Sequence, residues 1–175
     1  MIEIIPVREA AQIEAVAELA REIWNDHFVP IIGQAQVDYM LDRFQSAPAI
    51  RRQIFSEGYE YYLVSDRARR IGYFALVPHR KGTGAQLSKI YLRRSERGRG
   101  AGRAIIEFAE AWCIKRGFRK LWLTVNRHNA GPIAFYERMG FVRAGNLVQD
   151  IGSGFVMDDY KMVKRIRQQG ARDEA

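Results

Sequence analysis

The chain predicts an α/β fold in a single domain, and three patterns in its sequence carry that prediction. The first is the order strand, loop, helix, strand between Leu87 and Val125, centred on the run LSKIYLRRSERGRGAG from Leu87 to Gly102. The second is two pairs of β-prone runs with short connections, Glu60 to Ser65 with Ile71 to Val77 and Phe141 to Val148 with Phe155 to Val163. The third is a set of apolar residues at helical spacing in the N-terminal third. At 175 residues, 47% apolar and 27% charged, the composition is that of a globular domain spanning 1–175, with a polar tail from about 165. A chain of this length buries about two thirds of its unfolded surface without staples.

Taken in order, Ile2 to Val7 reads as a strand, and Ile13, Val16, Ala17, Ala20, Ile23 and Trp24 mark a helix from about Arg8 to Asn25. Asp26 to Gly33, with Pro30 and Gly33, breaks it. Val37, Met40, Leu41 and Phe44 mark a second helix, and Ile50, Ile54 and Phe55 a short third one after Pro48. The first hairpin is joined through Asp66 to Arg70. Pro78 to Gly84 reads as a loop, too polar for a strand. Ile90, Tyr91 and Leu92 then form a β-prone run that the polar turn Arg93 to Glu96 ends.

Beyond the glycines, Ile105, Phe108, Ala109, Trp112 and Cys113 recur at helical spacing from Arg103 to Arg116. Gly117 closes that helix as a C′ glycine, with Lys115 and Arg116 in its last turn. In the next strand Leu121, Leu123 and Val125 alternate with Trp122 and Thr124. Asn129 suits a helix N-cap and Pro132 a first turn. Ile133, Tyr136 and Met139 share one side of that helix, which Gly140 and Phe141 close. A loop containing Gly152 and Gly154 joins the last two strands.

The loop from Arg97 to Arg103 is built to hold an anion. Gly98, Gly100 and Gly102 lack a Cβ, so the backbone can curl and bring its N–H groups close to a ligand. The helix that follows adds unpaired donors and a positive dipole end, and Arg97, Arg99 and Arg103 add three guanidinium groups. Two familiar phosphate loops fail on residues that their chemistry needs. A dinucleotide fingerprint wants an acid at the end of the next strand, which here reads Thr124, Val125, Asn126. A nucleotide-triphosphate loop wants Gly-Lys followed by Ser or Thr, and Gly102 is followed by Arg103 and Ala104.

Arg97, Gly100 and Gly102 instead resemble the signature of the GNAT superfamily of N-acetyltransferases: Arg or Gln, two residues, Gly, one residue, then Gly or Ala. The later run NRHNAGPIAFYERMGF, Asn126 to Phe141, is similar to the family segment in which an Asn opens a helix that carries a Tyr and ends in Gly-Phe. The resemblance covers Leu87 to Arg165 closely and the N-terminal half by its layout. It implies a mixed, mostly antiparallel central sheet, splayed in the middle and flanked by helices, with acetyl-CoA as co-substrate.

On that resemblance the loop residues Arg97, Gly98, Arg99, Gly100, Ala101, Gly102 and Arg103 hold the pyrophosphate. Ile90, Tyr91 and Leu92 pair through their backbone with the pantetheine arm. Asn126, Asn129, Pro132, Phe135 and Arg138 complete the cofactor set, and the early helices lie on the acceptor side. Tyr136 takes the place of the general acid; a phenol stays protonated at neutral pH and can donate to a departing thiolate. Where some family members carry a glutamate, this chain reads Gln86, Leu87, Ser88, Lys89. The base is then a water or a carboxylate from elsewhere, with Asp26, Glu57, Asp150, Asp158 and Asp159 as candidates.

The remaining features bound the partners. His27, beside Asp26, reads as a capping or surface histidine, with an acceptor-site role as the alternative. His27, His79 and His128 have no metal-ligand spacing, and Cys113, the single cysteine, reads as core. No signal peptide or membrane span is evident, so cytoplasmic residence is expected. The net charge of +8 reads mainly as a field for coenzyme A, with nucleic acid the lesser reading. The expected activity is acetylation of a primary amine on a small molecule, and a homodimer is allowed for. The alternatives are a protein N-terminal or lysine acetyltransferase, and a non-catalytic acyl-CoA sensor.

Overall fold

The computed structural model describes residues 1–79 and 84–168. Its elements are β1 (Ile2–Pro6), α1 (Ala10–His27), α2 (Val29–Ile32), α3 (Gln34–Phe44), α4 (Ala47–Ser56), β2 (Glu60–Asp66), β3 (Arg69–Pro78) and β4 (Gly84–Leu92). After a 3₁₀ turn at Arg94–Glu96 come α5 (Ala101–Arg116), β5 (Lys120–Asn126), α6 (Ala130–Arg138), β6 (Val142–Gly152) and β7 (Phe155–Arg165). The strands hydrogen-bond in the order β1-β2-β3-β4-β5-β7-β6. Pairings β1 to β2, β2 to β3, β5 to β7 and β6 to β7 are antiparallel, and β4 to β5 is parallel. The result is a mixed, mostly antiparallel sheet flanked by helices. The chain packs as two compact units, Met1–Val77 with Ser88–Ile105 and Pro78–Leu87 with Ile106–Ala175, so it passes from one to the other inside β4 and α5.

In the first unit α1 buries the stripe Ile13, Val16, Leu19, Ala20, Ile23 and Trp24, each side chain contributing about 1.5–3 kcal/mol where it is large and apolar. Gln12 closes its N-terminus, accepting from the amides of Arg8 at 2.7 Å and Glu9 at 2.9 Å. The expected break after Asn25 is shorter than its composition suggested. Helix α1 runs on to His27, and the four residues of α2 follow with Pro30 in the first turn, where no intrahelical N–H bond is lost. Gly33, at φ 84°, separates α2 from α3. Ser46 caps α4, its hydroxyl accepting from the Ala49 amide at 3.4 Å.

The first hairpin turns more tightly than expected. Arg67 and Ala68 take the two left-handed positions, at φ 47° and 64°, and β3 starts at Arg69 rather than Ile71. Strand β4 also starts early, at Gly84, with Ala85, Leu87 and Lys89 buried in alternation. Residues 80–83 of the expected polar loop lie outside the described residues.

In the second unit Gly117, at φ 75°, ends α5, and the Phe118 amide reaches back to the Cys113 carbonyl at 2.9 Å. Phe118 stacks on Trp112 at 5.5 Å. The parallel ladder spans Gly84, Ala85 and Gln86 against Lys120, Leu121 and Trp122, while β5 pairs with β7 along its whole length, from Lys120 with Arg165 to Asn126 with Asp159. Both last strands are longer than expected. The residues of β6 are exposed in succession from Val142 to Asp150, so no apolar alternation marks its course.

The end of β4 rests on a glycine of β3. A Cβ at Gly72 would collide with the Tyr91 carbonyl oxygen and stand 2.7 Å from Leu92 Cδ2. The expected result of Gly72→Ala is a loss of about 1–3 kcal/mol of stability in urea unfolding, because backbone must shift to admit the methyl group.

Candidate active site

Two groups of residues carry the expected chemistry, one in each unit. In the first unit β4 ends at Leu92, and the Arg93 amide donates to the Ile71 carbonyl of β3 at 2.9 Å. Tyr91 packs edge-on to Trp24 at 5.3 Å and against Tyr73 at 5.4 Å, which sets the strand against α1 and β3. Arg97 then holds the start of the loop. Its Nε donates to the Leu92 carbonyl at 3.2 Å, and Nη1 lies 3.0 Å from His27 Nδ1. A guanidinium only donates, so Nδ1 is the acceptor and the His27 proton sits on Nε2.

Gly98 and Gly100 take positive φ, 75° and 92°, in exposed backbone with nothing within 4 Å of where a Cβ would stand. Helix α5 begins at Ala101, so the amides of Ala101, Gly102 and Arg103 lie in its first turn, where no intrahelical acceptor exists. A curled, open backbone followed by a helix N-terminus fits a diphosphate. Behind the loop, Glu96 is 6% exposed and pairs with Arg69 at 3.3 Å and Arg99 at 3.4 Å. The three loop guanidiniums therefore differ: Arg97 braces the strand end, Arg99 leans on Glu96, and Arg103 stands exposed on α5.

In the second unit α6 carries Tyr136, 6% exposed, with its ring 5.5 Å from Phe135 and 5.9 Å from Phe141. The helix ends as its sequence suggests, with Gly140 at φ 89° and the Phe141 amide bonded to the Tyr136 carbonyl at 3.0 Å. Its start differs from expectation. Asn129 holds the N-cap position but its side chain makes no capping bond; instead the Asn126 side chain accepts from the His128 amide at 3.0 Å and shapes the turn out of β5. Pro132 is half-buried in the first turn, and Arg138 is exposed in the last.

The five candidate carboxylates separate by environment. Asp150 accepts from the Gly152 amide at 2.8 Å and shapes a turn, Asp158 pairs with Arg127 at 2.7 Å, and Glu57 pairs with Arg52 at 3.0 Å. Asp26 lies near the end of α1. Asp159 is 4% exposed on β7, opposite Asn126, and burial pushes its carboxyl up to about 6 against a hydrogen bond from Thr124. Burial also pushes the Cys113 thiol up to about 12, which suits a core residue and not a nucleophile. Sequence reading missed the supporting places of Glu96 and Gly72 and the burial of Lys89. Glu96 and Gly72 look like ordinary turn and strand residues, whereas Lys89 stood at the very position searched for a base.

The Acetyltransferase (GNAT) family pattern matches residues 15–141. The chain belongs to this family of acetyltransferases. An uncharacterized N-acetyltransferase of Lactobacillus delbrueckii subsp. lactis is 27% identical over 157 residues, 86% of this chain and 90% of the relative. An uncharacterized N-acetyltransferase of Methanocaldococcus jannaschii is 37% identical over 82 residues, 47% of this chain and 32% of the relative, so the chain spans about a third of that protein. In fold, the chain is similar to a PaiA N-acetyltransferase from Thermoplasma acidophilum in complex with coenzyme A, with a TM-score of 0.76 and 22% identity over 94% of this chain and 99% of that one. No helix among the described residues is long and apolar enough to cross a membrane.

Asp159 makes the stability of the fold depend on pH. Its carboxyl is raised from 3.8 to about 6, so the native state favours the neutral form, and that advantage is lost as pH rises through 6. Asp159→Asn is neutral throughout. Urea unfolding is expected to show the variant gaining on the wild type between about pH 4 and about pH 7, by at most about 3 kcal/mol.

Proposed function

We propose that this chain is an acetyl-CoA-dependent N-acetyltransferase that moves an acetyl group by direct transfer to the primary amine of a small molecule. The observation that carries the reading is the exposed loop at the start of α5, with Gly98 and Gly100 at positive φ ahead of three first-turn amides. That arrangement supports pyrophosphate binding on the backbone. The PaiA N-acetyltransferase of the same fold is described with coenzyme A bound.

The backbone of Ile90, Tyr91 and Leu92 would receive the pantetheine arm. Asn126, Asn129, Pro132, Phe135 and Arg138 are proposed as its further contacts. Tyr136 would serve as the general acid: as the amine attacks the thioester carbon and the carbon–sulfur bond breaks, the phenol gives its proton to the leaving thiolate. Asp159 is the proposed base that takes a proton from the bound substrate ammonium, so that the neutral amine attacks, since its carboxyl, raised to about 6, is ionised yet basic at neutral pH.

Thiol release from acetyl-CoA over a panel of polyamines, amino acids, aminoglycosides and peptides tests the reaction and its acceptor. A panel that releases no thiol, with coenzyme A still bound, would leave the sensor reading standing. Peptides as the only acceptors would favour the protein-acetylating alternative. Tyr136→Phe is expected to lower kcat by about a hundredfold with unchanged affinity for coenzyme A. In the wild type kcat should fall on the acid side with a midpoint near 6, where Asp159 titrates, and Asp159→Asn should lose that limb along with most of its rate.

A further inference from the structure

Lys89 stands on β4 immediately before the segment proposed for the pantetheine arm, and it is 6% exposed. Its Nζ donates to the Phe44 carbonyl, at the end of α3, at 2.9 Å, and lies 5.4 Å from the centre of the Tyr61 ring. The same carbonyl accepts from Gln53 Nε2 of α4 at 3.1 Å, and Gln53 Oε1 accepts from the Tyr61 hydroxyl of β2 at 2.5 Å. Tyr73 of β3 donates to Gln45 Oε1, one residue past Phe44, at 3.0 Å. The junction of α3 and α4 is thereby joined to β2, β3 and β4 through one buried polar cluster. All of it lies in the first unit.

We propose that Lys89 is a positioning residue for the cofactor strand: by tying β4 to the Phe44 carbonyl it fixes the backbone of Ile90 to Leu92 in the place that receives the pantetheine arm. The proposal rests on the cofactor reading given above. It requires the side chain to act in its unprotonated form. An ammonium has three donors to satisfy, whereas a neutral amine is content with one carbonyl in an aromatic setting. Burial pushes Lys89 down to about 7, opposed by the charge of Glu57. Glu57 itself pairs with Arg52 at 3.0 Å. The other titratable groups of the cluster are tyrosines. Burial, with the neighbouring Tyr91, holds Tyr61 and Tyr73 well above their usual range, so both stay protonated at neutral pH. Because the Lys89 value is lowered, the packed arrangement is favoured above it; as pH falls through about 7 the ammonium forms, draws the cluster toward water and loosens the tie.

Calorimetry with coenzyme A, and with its nucleotide fragment lacking the pantetheine arm, tests this on the full chain and on Lys89→Met and Lys89→Arg. Relative to Lys89→Met at each pH, which cancels the titration of the ligand phosphates, wild-type affinity for coenzyme A should fall about tenfold between about pH 8 and about pH 6. Lys89→Arg, charged at every pH, should bind coenzyme A weakly throughout. The fragment should bind all three proteins alike, since the loop that would hold its diphosphate is untouched. A pH profile in Lys89→Met identical to that of the wild type overturns the proposal, as does an equal loss for the fragment, which would signal general damage. Coenzyme A bound by none of the proteins would sink the cofactor reading instead.

Discussion

One guanidinium decides where the glycine loop begins. Arg97 grips the carbonyl of Leu92, the last residue of β4, and the imidazole of His27, the last residue of α1, so the loop leaves from a point fixed by two elements. The strand end is held from the other side as well, by the Arg93 amide on the Ile71 carbonyl and by the close seat of Tyr91 on Gly72. Backbone donors bind an anion well only when their directions are set beforehand, because ordering a free loop at the moment of binding costs about 1–2 kcal/mol for each residue fixed. The arginine of the motif is thus a brace for the strand end and the start of the loop.

Glu96 extends the same logic. A carboxylate this deeply buried is tolerable because two guanidiniums, Arg69 and Arg99, stand against it. Removing either would leave the buried carboxylate with a single guanidinium partner. Glu96 also moderates the field, because it balances part of the positive charge of the loop region.

The second unit sets a phenol and a carboxyl in contrasting surroundings. Tyr136 lies among aromatic rings on a short helix whose end is locked by the Gly140 turn, and Asp159 is buried beside Thr124 on β7. Burial raises the pKa of any acid, but the consequences differ with the starting value. A phenol is a proton donor at neutral pH to begin with, while a carboxyl lifted to about 6 becomes a base with usable strength there. The division of labour proposed for the two groups follows from that difference.

Much of this was legible in the residues alone. The glycines at 98, 100, 117 and 140 announced left-handed backbone, and the structure has positive φ at each. The stripe from Ile13 to Trp24 and the alternation from Leu121 to Val125 announced their faces. Other elements were hidden for identifiable reasons. Pro30 reads as a breaker and yet lies in α2; Gly84 reads as the end of a polar loop and yet starts the strand that pairs with β5; β6 reads as a strand from Phe141 to Val148, but its continuation to Gly152 is exposed through Asp150 and carries no apolar alternation.

What the sequence determined by itself is therefore everything that depends on neighbours along the chain: helix periods, glycine turns, and the two motifs that mark the GNAT family. What only the tertiary structure decided is the electrostatic state of single side chains. Lys89, Glu96 and Asp159 are written no differently from the solvated lysines, glutamates and aspartates around them. The protonation of Lys89 and Asp159 and the pairing of Glu96 follow from how much water is excluded and which distant groups stand within reach. These are settled only by packing: at the junction of α3 and α4 with β2 and β3 for Lys89, beside Arg69 and Arg99 for Glu96, and where β7 pairs with β5 for Asp159.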